Sequence, residues 1–239
     1  MSQVNSSNPF GQVLVAMVTP MTADGEVDWE STEKLMAQLV ADGVDGIVVT
    51  GTTGETSTLT DKEKLQLVTV GKSVAGGKAK IITGGGSNET AHAIELYKAS
   101  EQAGADGAMV VTPYYNKPTQ AGILTHFRLI ADATDLPVIL YDIPGRTGVP
   151  IQYETILRAA KHPNIVAVKD AKGDLMEVSR VLNQTDLMYF AGDDGNALPT
   201  LAIGGVGMIS VTANIAPEPY RHMVDAVNRG SLPEATKAH

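Results

Sequence analysis

Residues 137–172 read PVILYDIPGRTGVPIQYETILRAAKHPNIVAVKDAK. A short apolar run, Val138–Tyr141, leads into a loop rich in proline and glycine. A segment of helical period follows at about 152–161, and a second apolar run, Ile165–Lys169, comes next. Short β-branched runs without polar alternation belong to strands covered on both faces, as in parallel sheets. Strand, helix and strand in that order form the crossover unit of an α/β protein.

The same unit recurs in both directions along the chain. Upstream lie the apolar runs Leu14–Val18, Gly46–Thr50, Lys80–Thr83 and Ala108–Thr112; downstream lie Met188–Ala191 and Met208–Val211. Between them, TEKLMAQLVADG sets Leu35, Met36, Leu39 and Val40 on one stripe and stops at Gly43. Thr60 and Glu63 have the spacing of a capping box. A helix starting at Asn88 or Thr90 runs through Ala91–Ala103 to Gly104, and further helices are expected at about 120–133, 174–184, 194–203 and 217–229. Gly204-Gly205-Val206-Gly207 precedes the last strand, so it reads as a helix stop and tight turn, not a phosphate cradle.

Eight successive units predict an α/β fold, a closed (β/α)8 TIM barrel, in preference to an open doubly wound sheet. Residues 1–10 are expected to form an N-terminal arm, 11–230 the barrel, and 231–239 the start of a C-terminal helical region.

Composition narrows the partners. The formal net charge of the 239 residues is -9, which argues against nucleic acid and anionic membrane. With no cysteine, disulfides, thiolate–zinc sites and thiol nucleophiles are excluded, and a reducing cytoplasmic setting fits. No apolar run approaches the roughly 20 residues of a membrane span. The polar start, MSQVNSSNPFGQ, lacks the pattern of a signal peptide, so the sequon at Asn5-Ser6-Ser7 reads as chance.

In α/β barrels the chemistry sits at the C-terminal ends of the strands. The sixth strand ends in Lys169. A lysine in an apolar barrel mouth loses hydration, which favours the neutral amine that imine formation needs. By period two it shares a face with Ile165 and Ala167. The other reading is a lysine paired with Asp170 or Asp193. Tyr141, ending the fifth strand, is either a proton relay or a packing aromatic. Thr52 and Thr53, between Gly51 and Gly54, either hold a carboxylate or mark a plain turn. Arg146 either grips a carboxylate bidentately or is solvated. The histidines at 92, 126, 162, 222 and 239 avoid the strand ends, so no metal is expected.

Together the motifs AMVTPM, VVTGTTGETSTLT, VVTPYYNKPTQAGILTHF, LYDIPGRTGVPI, NIVAVKDAKGD, AGDD and GMISVTAN, in this order, point further. From about Gly11 to Arg229 the chain resembles the 4-hydroxy-tetrahydrodipicolinate (dihydrodipicolinate) synthase family of pyruvate-dependent class I aldolases. The resemblance implies condensation of pyruvate with L-aspartate 4-semialdehyde, the step that opens the diaminopimelate route to lysine, with no cofactor beyond the lysine imine. It implies that Lys169 forms the imine. Tyr141, Thr52 and Tyr115 form a proton relay, Tyr115 crossing a dimer interface. Thr53 holds the pyruvate carboxylate, Arg146 receives that of the semialdehyde, and Gly192 and Ile209 line the site with backbone. A homodimer or homotetramer is also implied. N-acetylneuraminate lyases and keto-deoxy sugar acid aldolases share the lysine, the tyrosine and a similar glycine–threonine loop. Arg146 and Tyr114-Tyr115 favour the synthase. An inactive barrel that only binds keto acids is the alternative from another class.

Two departures from the family pattern stand out. Members of the family usually continue for several dozen residues beyond the eighth unit, so this chain is expected to lack most of that region. Lysine-inhibited members bind lysine at positions matching Thr56, Ser57, Asp61, Lys64, Asn88, His92 and Tyr114. Asp61 and Lys64 replace histidines, and His92 stands where sensitive members can carry glutamate. Weak or absent lysine feedback is expected.

Overall fold

The computed structural model describes residues 8–239. Strands β1 (Val13–Ala16), β2 (Gly46–Val49), β3 (Lys80–Thr83), β4 (Gly107–Val111), β5 (Val138–Asp142), β6 (Ile165–Asp170), β7 (Met188–Ala191) and β8 (Gly207–Ser210) pair in chain order. All ladders are parallel, and β8 pairs back onto β1, closing the barrel. Helices α1 (Trp29–Ala41), α2 (Asp61–Ala75), α3 (Thr90–Gln102), α4 (Gln120–Ala131), α5 (Pro144–Thr147), α6 (Tyr153–Ala159), α7 (Leu175–Leu182), α8 (Ala197–Ala202), α9 (Pro217–Asn228) and α10 (Leu232–Ala238) fill the connections and the C-terminal end. The α/β class and the (β/α)8 barrel expected from the sequence are what the chain adopts.

Local chemistry sets the helix starts. Asp28 caps α1 by accepting from the Ser31 amide at 3.0 Å. The Thr60–Glu63 capping box opens α2 in both directions. Asp174 caps α7 through the Glu177 amide. Each such cap stabilises its helix by about 1 kcal/mol.

Side-chain alternation explains the unbroken apolar strands. Leu14, Ala16, Val48, Ile82, Met109, Ile139, Tyr141, Ala167, Phe190 and Ile209 fill the barrel, whereas Val15, Ile47, Ile81, Val110, Leu140 and Val168 pack outward beneath the helices. One expectation needs correcting. The β5–β6 register shifts between Val138 and Ile139, so Val138 pairs with Ile165 but Ile139 with Ala167. The extra residue, Val166, breaks the period of two, and Ile165 joins the outer core while Ala167 and Lys169 keep to the interior.

The described end of the expected N-terminal arm is tied down. Phe10 is fully buried in the interior cluster, edge-on to Phe190 with ring centres 6.3 Å apart. A Cβ on Gly107 would sit 2.5 Å from Phe10 Cε1, so only glycine admits the ring there. An apolar barrel interior needs an apolar plug at its N-terminal end, and Phe10 supplies it. The sequon at Asn5 lies outside the described residues. Pro144–Thr147, read as loop, forms the single turn α5, and other differences are at element ends: β1 stops at Ala16, and the Val18 amide donates to Asn214 Oδ1 at 3.1 Å. Among the described residues, no helix is long and apolar enough to cross a membrane.

Candidate active site

Lys169 sits on β6 between Tyr141 of β5 and Phe190 of β7. It is 3% exposed, and its Nζ lies 4.2 Å from the centre of the Tyr141 ring. Among the described residues no carboxylate forms an ion pair with it. Asp170 instead accepts from the Gly173 amide at 3.0 Å, and Asp193 from the Gly195 amide at 3.1 Å. The salt-bridged reading of Lys169 therefore falls. Burial pushes its amine down to about 7, against the opposing pull of Asp194. Lys172, three residues on, is the opposite case: it pairs with Asp142 and Glu177, which hold its ammonium above the ordinary lysine range despite the desolvation.

Tyr141 is 4% exposed. Burial pushes its phenol up to about 12, while the Arg146 charge and the Thr52 side chain pull it back. Arg146 lies on α5, a single turn opened by Pro144, and is exposed. Thr52 and Thr53 sit in the loop after β2, held to the end of β1 by the Thr19 hydroxyl, which donates to Gly54 O at 2.7 Å. The loop leaves β2 through Thr50, which is buried with φ 58°. The left-handed region costs a β-branched residue roughly 1–2 kcal/mol. Such strain concentrates at functional sites, and here it turns the chain abruptly into the threonine pair.

Gly192 lines the other side of the lysine. Its amide donates to Asp170 O at 2.7 Å, and a Cβ there would lie 3.0 Å from both Lys169 Cγ and Asp170 O. Ile209, fully buried on β8, joins the interior cluster under the mouth. Lys169, Tyr141, Thr52, Thr53, Arg146, Gly192 and Ile209 thus gather at one end of the barrel. Tyr115 does not join its own chain's site: it is 90% exposed and held at φ 71° in a tight turn after β4.

Sequence reasoning missed Asp194. Its Oδ2 accepts from Val211 N at 3.2 Å, Thr212 N at 3.0 Å and Thr212 Oγ1 at 2.9 Å, tying the exit of β7 to that of β8. Its Oδ1 is buried without a partner. The available signal was its place in AGDD, a carboxylate three residues past the end of a strand that opens on the same mouth.

The histidines serve elsewhere. His92 meets Asp61 at 2.8 Å, His126 is buried against Thr90 Oγ1 at 2.9 Å, and His162 meets Asp132 at 2.9 Å. Among the described residues, no three His, Asp or Glu side chains group so as to hold a metal ion. Two further clefts, lined by residues such as Pro9, His162 and Met188, open at the opposite end of the barrel.

Comparison with known proteins places the chain in a family. The model of the dihydrodipicolinate synthetase family matches residues 9–239. The chain is 52% identical to the 4-hydroxy-tetrahydrodipicolinate synthase of Acidothermus cellulolyticus over 97% of its own length and 75% of that protein. Against 4-hydroxy-tetrahydrodipicolinate synthase 2 of Streptomyces coelicolor, identity is 50% over 97% and 77% of the two chains. Among solved structures, dihydrodipicolinate synthase from Cyanidioschyzon merolae with lysine bound superposes with a TM-score of 0.94 at 45% identity, covering 97% of this chain and 80% of that one. The Bacillus anthracis enzyme gives 0.93 at 41% identity, covering 96% and 80%. On sequence and fold together, the chain belongs to the dihydrodipicolinate synthetase family.

Proposed function

We propose that the residues at the barrel mouth carry the family's reaction, the condensation of pyruvate with L-aspartate 4-semialdehyde, as follows. The neutral Lys169 amine attacks the keto carbon of pyruvate, and loss of water from the carbinolamine gives the imine. Removal of a methyl proton gives an enamine, which attacks the aldehyde carbon. The semialdehyde's own amine then displaces Lys169 and closes the ring, giving 4-hydroxy-tetrahydrodipicolinate. No cofactor takes part, because the protonated imine formed on Lys169 is itself the electron sink.

Tyr141 passes protons to and from the carbinolamine, with Thr52 and Tyr115 completing the relay. Thr53 holds the pyruvate carboxylate beside the backbone of Gly192 and Ile209, and Arg146 receives the carboxylate of the semialdehyde. The 90% exposure of Tyr115 supports its reaching the site of a second copy, so the working unit is a homodimer or a homotetramer built from it. A cysteine-free chain making a lysine precursor suits the cytoplasm.

One observation carries the reading: a buried lysine without an ion pair, its amine near 7, stacked on a tyrosine at the catalytic end of a barrel. A steady-state assay with pyruvate and aspartate semialdehyde tests it, with cleavage of sialic acid as control. Turnover of the first pair alone supports the synthase. Cleavage of sialic acid would move the chain to the lyases, and no turnover of either would leave a keto-acid-binding barrel.

A further inference from the structure

Behind Tyr141 and Lys169 lies a set of buried charges that the chemistry above does not use. Asp142 and Asp170 each follow one of the two residues and pair with each other across the same ladder. Alternation turns both carboxylates out of the barrel interior. Asp142 is fully buried. Its Oδ1 accepts from the Ile151 amide at 3.1 Å, and its Oδ2, without a hydrogen bond, lies 3.3 Å from Lys172 Nζ. Lys172 Nζ also donates to the Ile151 carbonyl at 3.1 Å and to Glu177 of α7.

Such a cluster is not there for stability, because buried ion pairs roughly break even against apolar packing. Its geometry shows what it holds. Ile151 ends the excursion 143–151, which carries Arg146, and both of its backbone polar groups are gripped, one by Asp142 and one by Lys172. The Asp142 carbonyl accepts from the Ala171 amide at 2.9 Å, joining the exits of β5 and β6. Lys172 therefore links the exit of β5, the return of the Arg146 loop, the exit of β6 and the start of α7. Lys169 and Tyr141 have the strand ladder to fix them; the return of the Arg146 loop is anchored on its inner side at Ile151 and on its outer side by Gln120 of α4, which donates to the Pro150 carbonyl at 2.9 Å and accepts from the Gln152 amide at 3.0 Å.

We propose that Lys172 is a positioning residue for the second substrate: locked among Asp142, Ile151 and Glu177, it seats the Arg146 loop relative to Lys169. This rests on the reading of Arg146 as the group that receives the semialdehyde carboxylate. Pyruvate binding and imine formation, which use Lys169 and Tyr141, do not depend on the lock.

The test uses the full chain and four variants: Lys172→Met, Lys172→Arg, the neutral pair Asp142→Asn/Lys172→Met, and Arg146→Ala. In Lys172→Met, KM for aspartate semialdehyde rises about tenfold or more, since misplacement by ~1 Å can cost ~100-fold. Borohydride trapping of the pyruvate imine stays within about twofold of the parent rate, as expected for an interaction felt by one substrate only. Lys172→Arg restores part of the loss. The neutral pair removes the stranded Asp142 charge, so it folds even where the single variant does not, and it keeps the defect in KM. Equal losses in trapping and in KM would make Lys172 merely structural and overturn the inference. If Arg146→Ala leaves KM for the semialdehyde unchanged, the reading of Arg146 fails and this inference with it. If Arg146→Ala raises that KM but the neutral pair does not, only the role of Lys172 fails.

Discussion

Lys169 Nζ lies 4.2 Å from the centre of the Tyr141 ring, and the two residues face each other across the β5–β6 ladder. The contact fixes the amine at the barrel mouth without giving it a counter-charge. An ion pair would hold it protonated; an aromatic face in a desolvated site leaves the neutral form accessible near pH 7.

The first consequence is a pH profile. kcat/KM for pyruvate is expected to rise through about pH 7 as the Lys169 amine deprotonates, then level off. The same shift affects stability. Between about 7 and the ordinary value of 10.5, the unfolded chain binds a proton that the folded chain has released, so stability climbs with pH across that window. Lys169→Met removes that climb and raises the unfolding midpoint at neutral pH. Calorimetry of parent and variant at several pH values checks both signs; a variant less stable than the parent at pH 7 would contradict the desolvation account.

Tyr141→Phe keeps the ring over Lys169 and deletes the phenol. A positioned proton carrier contributes about 100- to 10,000-fold, so kcat is expected to fall by about that factor. KM for pyruvate is expected to change little, because the carboxylate contacts remain. An unchanged kcat in stopped-flow or coupled assays would leave Tyr141 as a packing aromatic.

Gly192→Ala probes how closely the β7 exit approaches the lysine. The added methyl would meet Lys169 Cγ and Asp170 O at 3.0 Å, so both neighbours must give by a few tenths of an ångström. Overpacking of this kind costs about 1–3 kcal/mol. The variant is expected to melt lower and to trap the pyruvate imine more slowly; normal trapping in a folded variant would count against a site this tightly built.

Lysine is expected to inhibit weakly or not at all at micromolar concentration. Asp61 already accepts from His92 at 2.8 Å and lies 3.3 Å from Lys64 Nζ, and the hydrogen bond from His92 is the main cause holding its carboxyl below the usual range. An incoming ammonium finds that carboxylate engaged. His92→Glu is expected to strengthen inhibition. Titration of both proteins with lysine checks this, and strong inhibition of the parent would refute it.

The barrel was legible because its information is local: eight apolar runs, glycine stops and the Thr60–Glu63 box need no distant partner to be recognised. The gathering of Lys169, Tyr141, Thr52, Thr53 and Arg146 followed from the rule that barrel strand ends converge. What escaped was set by contacts between distant segments. The bulge at Val166 depends on how β5 and β6 seat against each other, and it turned Ile165 outward. The burial of Phe10 depends on the empty barrel end it plugs. Thr50 carries a left-handed φ that a β-branched residue gives no reason to expect. The Asp142–Lys172 pair and the ties from Asp194 join loops far enough apart in sequence that spacing alone says nothing of them.

Lys169, not its ion-paired neighbour Lys172, is expected to bond to pyruvate. Borohydride reduction in the presence of pyruvate, followed by peptide mapping, tests it directly. One adduct is expected, on Lys169, and none in Lys169→Met. An adduct on Lys172, or none on the folded chain, would contradict it.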